Sequence, residues 1–170
     1  FPEIGEIIED GETLKDNALI KARHVYNATG LPSIADDTGL EVDALGGNPG
    51  VYTARFAGEG CTYRDNVNKM LKVMKNFEKR ERGAKFRTVM TYVDSEKELF
   101  SEGEVKGVIA EGIKGLGGFG YDPIFYVVEE GKTFAEMTLE MKNNISHRGR
   151  AVKGLKSILI THLNKSKESA

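Results

Sequence analysis

The sequence has almost no cysteine, no apolar run of membrane-spanning length and no secretory signal. The only cysteine among the 170 residues is Cys61, so no disulfide can form within the chain. No apolar run approaches the roughly 20 residues that a membrane-spanning helix needs. The N-terminus also lacks the basic and then apolar pattern of a secretory signal. We therefore expect a soluble cytoplasmic protein that does not act at a membrane.

The sequence also has no marked excess of positive or negative charge. The chain has 24 basic and 26 acidic residues, so no global field draws it to a nucleic acid or a membrane surface. Any anionic ligand must be held by local charge. Apolar residues make up 39% of the chain, and its length is that of one domain, which can bury roughly 70% of its unfolded surface. We expect a single domain over residues 1–170.

The stretch 35–57, ADDTGLEVDALGGNPGVYTARFA, has the densest set of candidate functional residues. Asp36 and Asp37 follow a short apolar run and precede a Thr-Gly pair. This pattern predicts that both carboxylates lie at the end of a strand, where α/β proteins bind ligands. The turn residues at 46–50 then let the backbone approach another group closely. Taken alone, the acid pair also fits an ordinary acidic loop followed by a hairpin turn.

Hydrophobic periodicity and capping signals predict an alternation of helices and strands along the chain. The predicted elements are, in order, a helix from Thr13 to Gly30, a hairpin-like excursion (Leu40 to Leu45, then Val51 to Phe56), a helix from Thr62 to Phe77, an antiparallel strand pair from Ala84 to Val108, a strand from Pro123 to Val128, a short helix from Thr138 to Asn144, and a longer helix from about Ser146.

Further residues could hold a phosphorylated ligand. Lys21 and Lys142 lie on predicted helices, and a Gly-rich loop within 112–122 offers bare amides, aromatic faces and a carboxylate. His147 and Arg148 lie at the start of the last helix. Because the helix dipole disfavours donors and cations there, this placement indicates an anionic or acceptor-rich ligand.

The acids indicate a divalent metal. Asp36, Asp37 and Glu9 supply the oxygen ligands that Mg²⁺ prefers, and this ion usually takes only one or two protein carboxylates beside water and substrate phosphates. The lysines would spread the charge of a polyphosphate, and an aspartate would take a proton from the attacking water. These residues indicate a metal-dependent nucleotide site. They do not exclude a kinase or a simple nucleotide-binding protein.

Four ordered motifs resemble one known family. The segments ADDTGLEVDALGGNPGVYTARFAG, GGFGYDPIF, KTFAEM and KNNISHRGRAVKGL are similar to the inosine triphosphate pyrophosphatase family, which hydrolyses non-canonical purine nucleoside triphosphates. The resemblance runs from about Glu9 to Leu155. It implies an elongated α/β fold of two lobes, with a central mixed sheet flanked by helices, an active-site cleft between the lobes, and a homodimer. The implied reaction is attack of water on the α-phosphorus of ITP, dITP or XTP, which releases pyrophosphate.

The resemblance also implies a role for individual residues. Asp37 would be the metal-binding general base and Glu9 the other metal-binding acid, with Mg²⁺ as the cofactor. The implied substrate contacts are Thr38, Lys21 and Lys142 at the phosphates or elsewhere on the substrate, Phe119, Gly120, Tyr121 and Asp122 at the base and sugar, and His147 with Arg148 at the base.

The sequence departs from the family pattern at its start. The family begins with a strand and a helix whose Thr/Ser-x-Asn-x-x-Lys motif cradles the triphosphate, and Phe1 follows the point where that segment ends. We expect either a fragment of a longer protein or a shortened member. Two alternatives stay open: a regulatory protein that binds nucleotides without hydrolysing them, and a pyrophosphatase of the septum-formation type that acts on modified pyrimidine triphosphates.

Overall fold

The computed structural model describes residues 4–168 and divides the chain into two compact units. The first unit comprises the described residues up to Thr38, together with Thr88–Glu104 and the chain from His147 onward. The second unit comprises Gly39–Arg87 and Val105–Ser146. Candidate functional residues occur in both units.

Helices and strands occur largely in the order that the sequence predicts, and the α/β class is confirmed. The helices in the described part of the chain are α1 (Leu14–Thr29), α2 (Tyr63–Val73), α3 (Leu139–Ile145) and α4 (His147–Glu168). The strands are β1 (Ser33–Val42), β2 (Pro49–Gly50), β3 (Gly83–Val93), β4 (Glu98–Ile109), β5 (Phe125–Val127) and β6 (Lys132–Thr133). They form one sheet in the order β2-β1-β3-β4-β5-β6, and the pairs β1–β2, β4–β5 and β5–β6 are antiparallel. Over residues 4–168, no helix is apolar over a length sufficient to cross a bilayer.

The first two helices begin at the predicted capping boxes. The Thr13 hydroxyl accepts from the Asp16 amide at 3.1 Å, and the Asp16 carboxylate accepts from the Thr13 amide at 3.1 Å. Thr62 and Asp65 make the same reciprocal pair before α2. Each box satisfies backbone donors that a helix leaves without partners at its start. Helix α1 ends at Gly30, whose φ of 69° is left-handed and therefore favours glycine.

The prediction that Asp36 and Asp37 lie at a strand end is wrong. Strand β1 continues through both acids to Val42. Leu40 and Val42 are fully buried and alternate with the half-buried Glu41, which is the period-two pattern of a strand. This pattern extends the strand past the Thr-Gly pair. The acids lie within β1, and because neighbouring side chains of a strand point to opposite faces, the two carboxylates face opposite ways.

The predicted excursion after the acids is also more compact than expected. Its first residues, Leu40 to Val42, belong to β1, and they pair with the two-residue strand Pro49–Gly50, in which Gly50 lies opposite Leu40. Two short 3-10 helices, Asp43–Leu45 and Thr53–Arg55, replace the rest of the expected hairpin. The turn residues at 46–50 did not predict these helical turns.

The aromatic core lies in the second unit. The ring centroids of Phe86 and Phe125 are 4.6 Å apart, and those of Phe125 and Phe134 are 5.1 Å apart. Met70 and Met74 of the α2 region are fully buried in the same cluster. Met70 and Met74 are therefore core residues, and their flexible side chains suit the irregular space beside aromatic rings.

Helix α4 packs closely on β4 in the first unit, and two glycines permit the approach. A Cβ on Gly154 would lie 2.1 Å from the Ser101 hydroxyl, and one on Gly103 would lie 2.1 Å from the His147 carbonyl oxygen. Farther along α4, Nε2 of His162 lies 2.8 Å from the Asp94 carboxylate, between β3 and β4. The start of α4, which carries His147 and Arg148, is therefore held against the sheet.

A Gly103→Ala substitution is expected to destabilise the protein by about 1–3 kcal/mol, because the new methyl group would overpack the start of α4. The matched control is Gly112→Ala. Its Cβ would meet no atom within 4 Å, so its effect should stay within about 0.5 kcal/mol. Denaturant unfolding of both variants measures the difference. Equal stability of the two variants would contradict the close packing of α4.

Candidate active site

Asp37 lies between two partners from helix α1. The Lys21 ammonium donates to its Oδ1 at 3.0 Å, and the Asn17 amide donates to its Oδ2 at 3.4 Å. Lys21 also donates to Oε2 of Glu9 at 2.9 Å. The structure thus brings together Glu9, Lys21 and Asp37, three of the residues predicted from sequence. Asn17 and Lys21 reach one carboxylate because residues four apart share a face of a helix.

The pKa values of Asp37 and Lys21 are both raised. Burial is the main cause for Asp37, and the negative charge of Glu9 adds to it, while hydrogen bonds from Lys21 and Asn17 act in the opposite direction. For Lys21, burial alone would lower the pKa, but the hydrogen bonds and charges of Glu9 and Asp37 outweigh that effect. Asp37 is therefore a stronger base than an ordinary aspartate, and Lys21 stays cationic at neutral pH.

Glu9 and Asp37 form a carboxylate pair that fits a divalent metal. Both lie within 3.0 Å of the same ammonium, so a positive charge is already favoured beside them. Their donor atoms are all oxygens, which suits a hard cation such as Mg²⁺. Among residues 4–168, no group of three or more His, Cys, Asp or Glu side chains is arranged to hold a metal. A metal at this pair would therefore also need oxygens from water and substrate.

Asp36 has different partners. Nε of Arg148 donates to its Oδ2 at 3.0 Å, and the Thr38 hydroxyl lies 3.3 Å from the same oxygen. The Thr38 hydroxyl is also 2.6 Å from that of Thr88 in β3. Arg148 and Thr38, both predicted as substrate contacts, therefore meet at Asp36. The sequence suggested Asp36 only as an oxygen ligand for a metal, and its contact with Arg148 was not predicted.

The predicted residues of the second unit gather around Asp122. Its buried carboxylate accepts from the Phe119 amide at 2.8 Å and from the Lys142 ammonium. Nζ of Lys142 lies 4.6 Å from the centroid of the Phe119 ring, within cation–π distance. Gly118 permits this arrangement, because a Cβ there would lie 2.0 Å from Oδ2 of Asp122. Asp122 thus holds the Lys142 ammonium and the backbone of Phe119.

Two other predicted residues are buried. Tyr121 belongs to the hydrophobic core, its hydroxyl donates to the Thr53 carbonyl at 2.9 Å, and burial raises its pKa. His147 is only 4% exposed at the start of α4. Gly120, between Phe119 and Tyr121, has a left-handed φ of 58° that lets the loop turn. Direct substrate contacts by these residues stay predictions.

Asn17 is the residue near Asp37 that sequence reasoning missed. Its side chain is buried, accepts from the Gly11 amide at 2.8 Å and donates to Asp37. It thereby connects the segment before α1 to the acid in β1. The sequence places Asn17 on the same helical face as Lys21. That shared face was the available signal, but only the structure shows that the carboxylate lies opposite it.

The chain is similar to known proteins over most of its length. The model of the Ham1 family matches residues 1–158. A protein of a Thermoanaerobacter species described as a dITP/XTP pyrophosphatase is 49% identical over 158 residues, which cover 93% of this chain and 80% of that relative. A Thermus thermophilus protein with the same description is 53% identical over 149 residues, or 86% of this chain and 71% of the relative. The solved structure of a HAM1 protein from Coxiella burnetii has a TM-score of 0.87 at 40% identity and covers 93% of this chain and 82% of its own. The chain belongs to the Ham1 family.

Proposed function

We propose that this protein is a nucleoside triphosphate pyrophosphatase that hydrolyses ITP, dITP and XTP to the monophosphate and pyrophosphate, and so removes non-canonical purines from the nucleotide pool. Relatives that are 49% and 53% identical are described as dITP/XTP pyrophosphatases. The observation in this structure that carries the proposal is the Asp37 carboxylate, which is held by Lys21 and Asn17 and has a raised pKa. Release of pyrophosphate from ITP is the test.

Asp37 acts as the general base of the proposed reaction. Its two oxygens are oriented by Lys21 and Asn17, and each carboxylate oxygen keeps a second acceptor site after such a bond. Asp37 takes a proton from the water whose oxygen attacks the α-phosphorus. The bond from that phosphorus to the bridging oxygen breaks, and pyrophosphate leaves with the bonding electron pair. The ammonium of Lys21 offsets the negative charge beside the reacting groups.

We propose Mg²⁺ as the cofactor, held by Glu9 and Asp37. When bound, the ion would neutralise phosphate charge and act as a Lewis acid. The support is the oxygen-only donor set and the ammonium that both carboxylates already contact. The ammonium of Lys21 contacts both acids, and its positive charge offsets the repulsion between the two carboxylates.

Chelation of divalent metal is expected to abolish pyrophosphate release, and added Mg²⁺ should restore it. A Glu9→Gln variant should need more Mg²⁺ for half-maximal activity, because an amide binds a hard cation more weakly than a carboxylate. Titration of activity with Mg²⁺ checks both statements. Asp10→Asn is the matched control, since Asp10 is exposed and adjacent in sequence. Full activity in the presence of chelator would refute the metal requirement.

Arg148 is proposed to recognise the base. Arginine only donates hydrogen bonds, so it suits the oxygen at position 6 of hypoxanthine or xanthine and opposes the amino group of adenine. In the second unit, we propose substrate binding by Lys142 and by the ring of Phe119; Asp122 bonds the Lys142 ammonium and the Phe119 backbone amide. The family resemblance extends the proposal to Thr38, Gly120, Tyr121 and His147.

We also propose that the protein is a cytoplasmic homodimer. The dimer rests on the family resemblance, and the location rests on the expectation from the sequence features. Sedimentation velocity at micromolar concentration is expected to show the mass of a dimer, and a species of 18.7 kDa alone would refute the assembly.

A further inference from the structure

The two adjacent acids of β1 belong to separate hydrogen-bond networks. Asp37 contacts Lys21 and Asn17, whereas Asp36 contacts Arg148 and Thr38. Because successive side chains of a strand face opposite ways, the carboxylates cannot share these partners without leaving the strand geometry. This arrangement suggests different roles for the two acids: Asp37 takes part in the proposed reaction as the general base, and Asp36 acts through Arg148.

We infer that Asp36 is a positioning residue that aims Arg148 and thereby determines which purine base is accepted. The inference rests on the proposed function, because it needs Arg148 to read the base. Asp36 bonds the Nε of Arg148 at 3.0 Å. The guanidinium group is planar, so a bond at Nε sets the direction in which the terminal nitrogens donate. A free arginine side chain would instead sample several rotamers and lose entropy on binding each substrate.

The carboxylate of Asp36 is itself held in place. Its Oδ2 lies 3.3 Å from the Thr38 hydroxyl, which is 2.6 Å from the hydroxyl of the fully buried Thr88. This chain of contacts runs from the sheet interior to Arg148. At the other end, Arg148 lies between His147 and Arg150, two residues of α4 that pack against Gly103. Asp36 therefore belongs to strand β1 and Arg148 to helix α4, and a group that determines specificity is positioned best on such regular elements.

A plain surface ion pair is the alternative explanation, and it predicts a different result. The side chains of Arg148 and Asp36 are 42% and 31% exposed. Such exposed pairs add little to folding stability because water competes for both charges. A merely structural pair would therefore leave base selection unchanged. A positioning pair would change base selection while the melting temperature stays nearly the same.

The test measures kcat/KM for ITP and ATP, by pyrophosphate release, in the wild type, Asp36→Ala, Asp36→Asn, Arg148→Ala and the double variant Asp36→Ala/Arg148→Ala. Asp36→Ala is expected to lower kcat/KM for ITP by roughly tenfold, the size of a lost hydrogen bond between charged groups. Most of this loss should appear in KM, with little change for ATP. Asp36→Asn should lose less, because its amide oxygen still accepts from Nε. Asp43→Ala, which removes an exposed acid elsewhere, is the control.

The double variant decides the mechanism. If Asp36 acts only through Arg148, the double variant should match Arg148→Ala alone. Additive losses, or equal losses for ITP and ATP in both Asp36 variants at an unchanged melting temperature, would overturn the inference while the active wild type still supports the proposed function. A wild type that releases no pyrophosphate from ITP would instead overturn the proposed function, and the inference with it.

Discussion

Replacing Asp37 by asparagine is expected to reduce kcat for ITP hydrolysis by about 10²- to 10⁴-fold, the range that a general base contributes. The amide keeps the size of the side chain but cannot take a proton from water. Because it is neutral, it also binds a metal cation more weakly than a carboxylate does. It would also face the Lys21 ammonium without the charge that this lysine pairs with at 3.0 Å. Steady-state pyrophosphate release at saturating ITP measures the loss.

Asp36→Asn is the matched control for that variant, since the two acids are neighbours in one strand. Its loss should be much smaller and should fall mainly on KM, because Asp36 contacts Arg148 rather than Lys21. Equal losses of kcat from both substitutions would show that the catalytic acid is assigned wrongly.

The dependence of activity on pH also tests the role of Asp37 as the general base. Burial, with the added charge of Glu9, raises the pKa of this carboxyl despite the bonds from Lys21 and Asn17. A base must be deprotonated to work, so activity should fall as the pH drops through the pKa of Asp37; without metal this pKa lies above that of an ordinary aspartate, and bound Mg²⁺ would lower it. The raised pKa of Lys21 keeps its charge throughout that range. The Asp37→Asn variant should lose this acid limb from its residual activity.

Replacing Arg148 by alanine is expected to collapse the preference for ITP over ATP. A site built to hydrogen-bond one group can reject an analogue that mismatches it by roughly 10⁴-fold or more. ITP should therefore lose much of its kcat/KM, while the already low value for ATP should barely change. Competition assays with both nucleotides measure the ratio directly.

Arg150→Ala provides the control for charge and helix position. Arg150 lies two residues farther along α4 and donates to the Glu104 carbonyl at 2.8 Å, so its loss should leave the ratio between ITP and ATP intact. If Arg148→Ala lowered activity on both nucleotides by one factor, Arg148 would hold phosphate or structure, and the account of base selection would be wrong.

Local signals predicted most of the helices and strands. The capping boxes at Thr13 and Thr62 located the starts of α1 and α2, because capping depends on residues only three positions apart. The alternation of apolar residues after Ala84 likewise predicted β3. Strand β5, Phe125–Val127, is shorter than its apolar run suggested. Such a run does not show where pairing with a neighbour stops.

Contacts between distant segments were harder to predict. Asp36 and Arg148 are 112 positions apart, and no local pattern links them. The Thr-Gly pair after the acids indicated a turn, but the burial of Leu40 and Val42 stabilised a continuous strand instead. That tertiary effect outweighed the local preference. It also set the two acids on opposite faces, which the expected loop would not have done.

Hydrolysis of ITP in water enriched with oxygen-18 tests the central claim most directly. Phosphorus NMR of the products is expected to show inosine monophosphate and pyrophosphate in equal amounts, with the heavy oxygen in the monophosphate, because water attacks the α-phosphorus. Formation of inosine diphosphate and orthophosphate, or label in the pyrophosphate instead of the monophosphate, would contradict the account.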